Sequence, residues 1–167
     1  MKNFPEHAKA CREVSGPIGT LVVLASEEGI AGLFFGHRIG ENALPEDDAS
    51  NEHLNAAEKQ LGEYFAGKRE QFDLTFDVRG TDFQKSVWGA LSQIPFGETR
   101  SYGQIAESIG NPKSVRAVGL ANGSNPISII VPCHRVIGAD GTLTGFGGGL
   151  EMKRKLLVHE GALLDVG

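Results

Sequence analysis

Residues 130–138, Ile-Val-Pro-Cys-His-Arg-Val-Ile-Gly, place a thiol directly beside an imidazole. A cysteine reacts as a nucleophile in its thiolate form, and His134 is a base that could take the proton of Cys133. Glu160, in the last predicted helix, could orient the imidazole and complete a Cys–His–acid relay. Adjacent residues of a strand point to opposite faces, and Pro132 disfavours a regular strand. The pair therefore requires irregular backbone or a bridging water. The alternative is a buried structural cysteine beside a hydrogen-bonded histidine.

Other residues offer less chemistry. Cys11 has no histidine nearby and reads as a passive thiol, and the absence of Cys-x-x-Cys and His-x-x-x-His spacings argues against a metal site. Residues 138–149 contain six glycines, which would let backbone approach a ligand closely or would simply form a flexible surface loop. This loop has neither the Walker pattern nor the context of a dinucleotide site. The run Lys153-Arg154-Lys155 is expected on a solvated helix face.

The composition indicates an ordinary globular protein of one or two small domains. The chain has 167 residues, 40% of them hydrophobic and 22% charged. Two cysteines cannot build a disulfide scaffold, the first ten residues are not a signal peptide, and the apolar run 127–131 is too short to cross a bilayer. We therefore expect a cytoplasmic protein in a reducing compartment, without membrane attachment.

The charge is unevenly distributed. Residues 1–80 carry 8 Lys and Arg against 14 Asp and Glu, a net charge of −6, whereas residues 81–167 carry 8 against 7, a net charge of +1. The total of −5 argues against a nucleic-acid partner, but the acidity belongs to the first part alone. We place a domain boundary near Val78–Gly80, which gives domains 1–79 and 80–167.

The first domain is predicted to contain a small antiparallel sheet and a helix. Short apolar runs separated by turn residues predict strands at Lys9–Ser15, Thr20–Ala25 and Ile30–Phe35. Apolar residues at helical spacing predict a helix over Asn51–Ala66, and alternation predicts a fourth, half-buried strand over Phe72–Asp77. The fold class is therefore α+β, with an N-terminal α/β domain.

The second domain is predicted to be mostly helical. Helices begin at Thr81 and Ser101, each followed three residues later by a glutamine that completes a capping box, and another helix spans Lys113–Ala121. The break Gly110-Asn111-Pro112 between two short helices is the outline of a helix-turn-helix or winged-helix domain, although a simple packed helix pair gives the same outline. A last helix is expected over Leu150–Glu160.

The helix Lys113–Ala121 carries Arg116 among small residues, namely Ala117, Gly119 and Ala121. So smooth a helix can pack closely on a neighbouring helix. It can also lie in a DNA groove with the arginine side chain projecting.

The heptad Pro132-Cys133-His134-Arg135-Val136-Ile137-Gly138 resembles the active-site motif of the methylated-DNA–protein-cysteine methyltransferases, also called alkylguanine-DNA alkyltransferases. Further motifs match this family in order across residues 81–161, and the first eighty residues match loosely as its variable N-terminal domain. These motifs include Thr81-Asp82-Phe83-Gln84, Ile94-Pro95-Phe96-Gly97-Glu98-Thr99, Ser101-Tyr102-Gly103, Arg116-Ala117-Val118-Gly119, Asn125-Pro126, Gly145-Phe146-Gly147-Gly148-Gly149 and His159-Glu160-Gly161.

The resemblance implies a role for each matching residue. Cys133 would accept the alkyl group, His134 would act as its base through a water, and Glu160 would orient His134. Asn125 would brace the turn that carries the cysteine. Tyr102 would help to rotate the target nucleotide and would donate a proton to the flipped base.

The resemblance also implies a DNA interface and a guanine pocket. The helix-turn-helix would enter the minor groove of double-stranded DNA that contains alkylated guanine, and Arg116 would fill the space that the extruded base leaves. The other DNA-contacting residues would be Tyr102, Lys113, Ser114, Ala117 and Ala121. The pocket would be lined by the backbone of Cys133, Val136 and the loop Leu143–Gly148, with Leu143, Phe146, Gly147 and Gly148 as its pocket residues.

The function implied is direct, single-turnover repair of O6-methylguanine, with O4-methylthymine as a second candidate substrate. Stacking makes the alkylated oxygen inaccessible, so the base must be extruded. No cofactor, metal or obligate protein partner is expected. Gly147 stands where some members have serine, and Phe146 where some have tyrosine. The zinc ligands and the sensor domain of some members are not evident.

Two alternatives come from other classes of protein. A non-catalytic lesion-binding protein of the same fold would lack the cysteine, and Cys133 argues against it. An unrelated Cys–His hydrolase would turn over repeatedly, and the helix-turn-helix with Arg116 would have no purpose in it.

Overall fold

The structure, a computed structural model, describes residues 5–38 and 44–164. The chain divides into two compact units, residues 1–79 and 80–167. Within the described ranges, no helix is both long and apolar enough to cross a membrane.

The first unit contains a three-stranded antiparallel sheet. Its strands are β1 (Ala10–Gly16), β2 (Gly19–Ala25) and β3 (Ile30–Phe35), and they lie side by side in chain order. The tight turn between β1 and β2 places Gly19 at a φ of +109°, which only glycine adopts readily. The three predicted strands are confirmed, each within one residue at either end.

A helix packs against this sheet. α1 (Glu52–Phe65) contacts all three strands and buries Leu54, Ala57, Leu61 and Tyr64, the apolar residues at helical spacing. The Asn51 side chain caps the helix by accepting a hydrogen bond from the Leu54 amide at 3.0 Å. The predicted helix is thus confirmed, with Asn51 and Ala66 as its caps.

The predicted fourth strand is wrong. The described residues of this segment form one isolated bridge, between Phe76 and Ile30, and the Phe76 side chain is 40% exposed. The Gln60 side chain donates to the Asp73 carbonyl at 2.9 Å and accepts from the Asp73 amide at 2.8 Å. The Gln60 side chain thus uses the backbone amide and carbonyl of Asp73, which a strand would need for pairing. The segment therefore does not extend the sheet as a fourth strand.

The described part of the second unit is built from the helices α2 (Asp82–Leu91), α3 (Tyr102–Ser108), α4 (Val115–Gly123) and α5 (Leu150–His159). Both predicted capping boxes are present, at Thr81 with Gln84 and at Ser101 with Gln104. α3 and α4 pack together as the predicted helix-turn-helix. α4 begins and ends two residues later than expected; Ser114 occupies its N-cap position, but its hydroxyl donates back to the Asn111 carbonyl at 2.6 Å.

A short parallel pair joins the start of α3 to the segment after Cys133. β4 (Arg100–Ser101) pairs with β5 (Val136–Ile137). Two-residue strands are too short to show any hydrophobic period, so the sequence did not predict them. The pair places the segment after Cys133 beside the first residues of α3.

Candidate active site

A tightly folded turn carries Cys133. The buried Asn125 side chain donates from Nδ2 to the Val131 carbonyl at 2.8 Å and accepts the Ile127 amide at Oδ1, 3.0 Å away. Ile129 lies in this turn at a φ of +72°, a conformation that costs a β-branched residue about 1–3 kcal/mol. The turn thus folds around one amide side chain, as expected for a brace.

Cys133 and His134 lie on irregular backbone, as their adjacency requires. Residues Cys133–Arg135 form one turn of 3-10 helix, and the Cys133 amide donates to the Val131 carbonyl at 2.8 Å. Successive side chains on such a helix are about 120° apart, so both can face the same interior. The Cys133 and His134 side chains are both buried.

One buried carboxylate serves the two residues that follow Cys133. Glu160 Oε2 lies 2.8 Å from His134 Nε2, and Arg135 donates to the same carboxylate from Nε at 2.8 Å and from Nη2 at 3.0 Å. Burial alone would raise the pKa of Glu160, but the hydrogen bonds from His134 and Arg135 and the positive charge of Arg135 lower it to about 2. Glu160 is therefore ionised, and His134 Nε2 must carry the proton that they share.

His134 is neutral at physiological pH. Its complete burial lowers the pKa below the usual 6.5 and outweighs the opposing effect of Glu160. With the proton on Nε2, the lone pair is on Nδ1, which is buried and has no hydrogen-bond partner among the described residues. The ring also packs edge-on against Phe146, at 6.4 Å between centroids. A neutral imidazole with a lone pair in the interior has the properties of a general base.

Lys153 contradicts the expectation for the run Lys153-Arg154-Lys155. Its side chain is 0% exposed and donates from Nζ to the carbonyls of Val136 and Thr144, each at 2.6 Å. Desolvation lowers the pKa of Lys153 to about 8, and its charge interacts with Cys133. Lys155, in contrast, is exposed and pairs with Glu151. Leu156 and Leu157, three and four residues further on, lie on the same buried face of the helix. This helical spacing could have predicted that Lys153 is buried.

The glycine-rich segment, residues 138–149, is an ordered turn at its start. Asp140 Oδ1 accepts from the Thr142 amide at 3.1 Å and from its hydroxyl at 2.7 Å, and the Gly138 amide donates to the Thr142 carbonyl at 2.8 Å. A Cβ at Gly138 would lie 2.9 Å from Asp140 Oδ1, so a larger residue here would displace the Asp140 side chain. The expected pocket residues of this segment are half-buried, namely Leu143, Phe146, Gly147 and Gly148, and Val136 is buried.

Tyr102 joins α3 to the glycine-rich segment. It is the first residue of α3, and its Oη lies 2.9 Å from Thr144 Oγ1. Thr144 lies within the loop that was expected to line the pocket, but its side chain was given no role, and neither were those of Arg135 and Lys153. All three act through contacts with residues distant in the chain, which a single sequence does not show.

Four of the six expected DNA-contacting residues lie at or just before the N-terminal end of α4, whereas Tyr102 begins α3 and Ala121 lies further along α4. Arg116, Ala117 and Lys113 are exposed, and Ser114 is half-buried. Ala121 is only 3% exposed, and its carbonyl accepts a hydrogen bond from Trp88 Nε1 at 2.9 Å. Its side chain packs inside the unit, so its placement in a DNA interface was wrong.

The neighbouring residue on α4, Leu120, projects from the helix instead and is 74% exposed.

Comparison with known families decides the identity. Residues 82–162 match the DNA-binding domain of 6-O-methylguanine DNA methyltransferase, and residues 14–78 match its ribonuclease-like domain. The chain belongs to the methylated-DNA–protein-cysteine methyltransferase family. The expected family, fold class and enzyme class are thereby confirmed, as is the assignment to DNA repair.

Individual relatives agree with this family. The chain is 52% identical to the methylated-DNA–protein-cysteine methyltransferase of Methanosarcina acetivorans over 87% of this chain and 94% of the relative. It is 51% identical to that of Mycobacterium tuberculosis over 89% and 90%. The crystal structure of Mycobacterium tuberculosis OGT in complex with DNA superposes with a TM-score of 0.84 and 49% identity, covering 92% of this chain and 93% of that one.

A more distant methyltransferase structure, from Pyrococcus kodakaraensis, shares the fold at a TM-score of 0.56 and 21% identity.

Proposed function

We propose that the protein repairs DNA by moving the alkyl group of O6-methylguanine irreversibly to Sγ of its own Cys133. The observation that carries this proposal is the buried hydrogen bond of 2.8 Å between His134 Nε2 and Glu160, directly beside a buried cysteine. It leaves a neutral base next to a thiol, inside a unit that belongs to a DNA-binding family. DNA binding and chemistry are thus both assigned to residues 80–167.

The first step is extrusion of the damaged base. We assign minor-groove contact to the N-terminal end of α4, where Ala117 offers a small side chain and Arg116 projects to fill the gap in the stack. Lys113 and Ser114 precede these residues, and we assign them to contacts with the phosphate backbone of the DNA. The solved complex of a 49% identical relative with DNA supports a DNA partner. The extruded base then enters the pocket formed by Val136 and the glycine-rich segment.

The second step is a single displacement. His134 Nδ1 accepts the thiol proton of Cys133 through a water, the thiolate attacks the alkyl carbon, and the carbon–oxygen bond of the base breaks. Tyr102 gives its hydroxyl proton to the departing guanine, which makes guanine a better leaving group. Because the thioether product has no cleaving group nearby, each molecule acts once. A reducing cytoplasm would keep the thiol usable until then.

In the proposed pocket, the base would be recognised by main-chain groups of the glycine-rich segment. Gly147 provides no side-chain donor, so recognition there falls to the main chain. An alkylated oxygen on thymine has the same leaving-group chemistry, which makes O4-methylthymine a second substrate of the same pocket.

Mass spectrometry tests the proposal. The protein is incubated with a duplex containing one O6-methylguanine, digested, and its peptides are mapped. The methyl group is expected on the peptide that contains Cys133 and absent from the peptide that contains Cys11. A Cys133→Ser variant should bind the same duplex and leave it methylated. If Cys133 remained unmodified on DNA that was demonstrably bound, the protein would be a lesion-binding protein and the proposal would fail.

A further inference from the structure

The contact between Tyr102 and Thr144 is an exposed hydrogen bond between two side chains, a kind of bond that adds little to stability. The two hydroxyl oxygens are 2.9 Å apart, belong to residues 42 positions apart in the chain, and face solvent. A neutral hydrogen bond contributes about 0.5–1.5 kcal/mol to stability even when it is sheltered. An ordered side-chain pair at the edge of the expected guanine pocket therefore calls for a functional explanation.

The Thr144 hydroxyl is held firmly although it is exposed. The carbonyl of Thr144 accepts a hydrogen bond of 2.6 Å from the buried Lys153 ammonium, which also holds the Val136 carbonyl at 2.6 Å. Two residues earlier, Thr142 is fixed by its two hydrogen bonds to Asp140. The main chain at Thr144 is thus anchored to the segment that follows Cys133. Its side chain presents a hydroxyl to Tyr102 from a defined position.

We infer that Thr144 is a positioning residue for the proton that Tyr102 delivers to the leaving base, an inference that rests on the proposed function. A phenol has one hydroxyl proton. When the phenol oxygen accepts a hydrogen bond from a neighbour, that proton points away from the neighbour. When Thr144 Oγ1–H donates to Tyr102 Oη, the phenol proton is directed to the remaining side, where the extruded base would lie. Thr144 therefore orients the proton without touching the substrate.

The reaction step balances with this arrangement. The bond between Cys133 Sγ and the alkyl carbon forms while the bond between that carbon and the guanine oxygen breaks, and the electron pair of the broken bond stays with guanine. Guanine takes the proton of Tyr102. The resulting phenolate keeps the hydrogen bond from Thr144 and regains a proton from solvent, which has received the proton of the Cys133 thiol by way of His134.

Four variants and two reactions test this role. The single variants are Thr144→Val, which keeps the shape and removes the donor, Thr144→Ser, which retains the donor, and Tyr102→Phe. The fourth is a double variant that combines Thr144→Val with Tyr102→Phe. The first reaction is single-turnover transfer from O6-methylguanine duplex at saturating DNA. The second is alkylation of Cys133 by iodoacetamide, whose iodide leaves without needing a proton.

Thr144→Val is expected to slow transfer roughly tenfold, part of the roughly 10²–10⁴-fold that a general acid contributes. Thr144→Ser should transfer at nearly the wild-type rate. Iodoacetamide should react equally with all variants, and Thr144→Val should have no further effect in the Tyr102→Phe background.

Three results would overturn the inference while leaving the proposed function intact. They are a Thr144→Val variant that equals or exceeds wild type in transfer, one that slows both reactions alike, and one that adds its full effect to that of Tyr102→Phe. A wild-type protein that reacted with iodoacetamide but never took methyl from bound DNA would instead overturn the proposed function, and the inference with it.

Discussion

At the scale of single residues, the site depends on the Glu160 carboxylate, whose two oxygens are shared between His134 and Arg135. One oxygen meets His134 Nε2 and Arg135 Nη2, and the other meets Arg135 Nε. Arg135 also donates to the Ile94 carbonyl at 2.7 Å. The arginine thus keeps the carboxylate charged and in place, while the histidine receives its orientation from it. Stability and chemistry depend on the same atoms, and a paired substitution can separate them.

Replacing Glu160 by glutamine is expected to lower the free energy of unfolding by about 3–5 kcal/mol, because it leaves the buried Arg135 without its counter-charge. Adding Arg135→Met removes the orphaned charge and should recover part of that loss. The rate of transfer should stay low in both variants, since neither supplies the carboxylate charge that stabilises His134 once it has taken the thiol proton. Chemical denaturation and single-turnover rates measure the two effects. Recovery of the rate along with the stability would show that Glu160 serves the fold alone.

The pKa of His134 provides a second test at this scale. Burial lowers the pKa of His134 below 6.5. The folded protein should therefore protonate this ring at a lower pH than the unfolded chain does. The unfolded chain then holds more protons than the folded one as the pH falls through 6.5, and stability should decrease in that direction. An NMR titration of the His134 ring should give a midpoint under 6.5. A midpoint at or above 6.5 would contradict the lowered pKa, and a ring that was still protonated at neutral pH could not act as a base.

At the scale of elements, α5 contributes more than the carboxylate at its end. Through Lys153 it holds the strand β5 and the glycine-rich segment together, by two hydrogen bonds of 2.6 Å. The pKa of Lys153, about 8, leaves the ammonium largely charged at neutral pH despite its burial. A helix that packs through Leu156 and Leu157 thereby positions the pocket wall.

Lys153→Met should loosen the pocket wall, because methionine fills the same volume but cannot donate to either carbonyl. We expect faster amide hydrogen exchange across residues 138–149 and transfer slowed roughly tenfold, since small displacements in a site are costly. Lys155→Met is the matched control on the same helix, because that lysine is exposed. Equal exchange and equal rates in the two variants would contradict the positioning role of Lys153.

The elements that the sequence predicted well are those whose signal is local. The capping boxes at Thr81 and Ser101 and the helical stripe of α1 depend on residues within four positions of one another. The segment around Phe76 failed because a distant side chain, that of Gln60, occupies the backbone of Asp73.

The same distinction holds for the site. Cys133 and His134 are neighbours in the chain and suggest chemistry by themselves, whereas the contact of His134 with Glu160 spans 26 residues. Only the family resemblance pointed to that acid with any specificity. Thr144 had no sequence signal, because its contact with Tyr102 depends on where the glycine-rich segment folds.

At the scale of the whole molecule, burial changes the charge that DNA would meet. Residues 81–167 have a formal net charge of +1, but Arg135, Lys153 and Glu160 are buried. The other lysine and arginine residues of this part number six, as do the other aspartate and glutamate residues, which leaves no net formal charge. If the proposed function holds, selectivity would therefore come mainly from the pocket for the extruded base.

The neutral surface predicts few phosphate contacts and a weak dependence of DNA affinity on salt. Each neutralised phosphate adds about −0.9 to the slope of log affinity against log salt, so we expect a slope shallower than about −4. Fluorescence anisotropy with one duplex across a salt series measures it. A slope of about −6 or steeper would require a basic surface that this unit does not have.

The central claim, irreversible transfer to one cysteine, is tested most directly by stoichiometry. A fixed amount of protein is titrated with duplex carrying radiolabelled O6-methylguanine, and the label bound to protein is counted after hours of incubation with excess DNA. We predict a plateau at one methyl group per protein molecule, all of it on Cys133, with none in the Cys133→Ser variant. Label that kept leaving the DNA beyond this plateau, or a plateau near zero with bound DNA, would contradict the account.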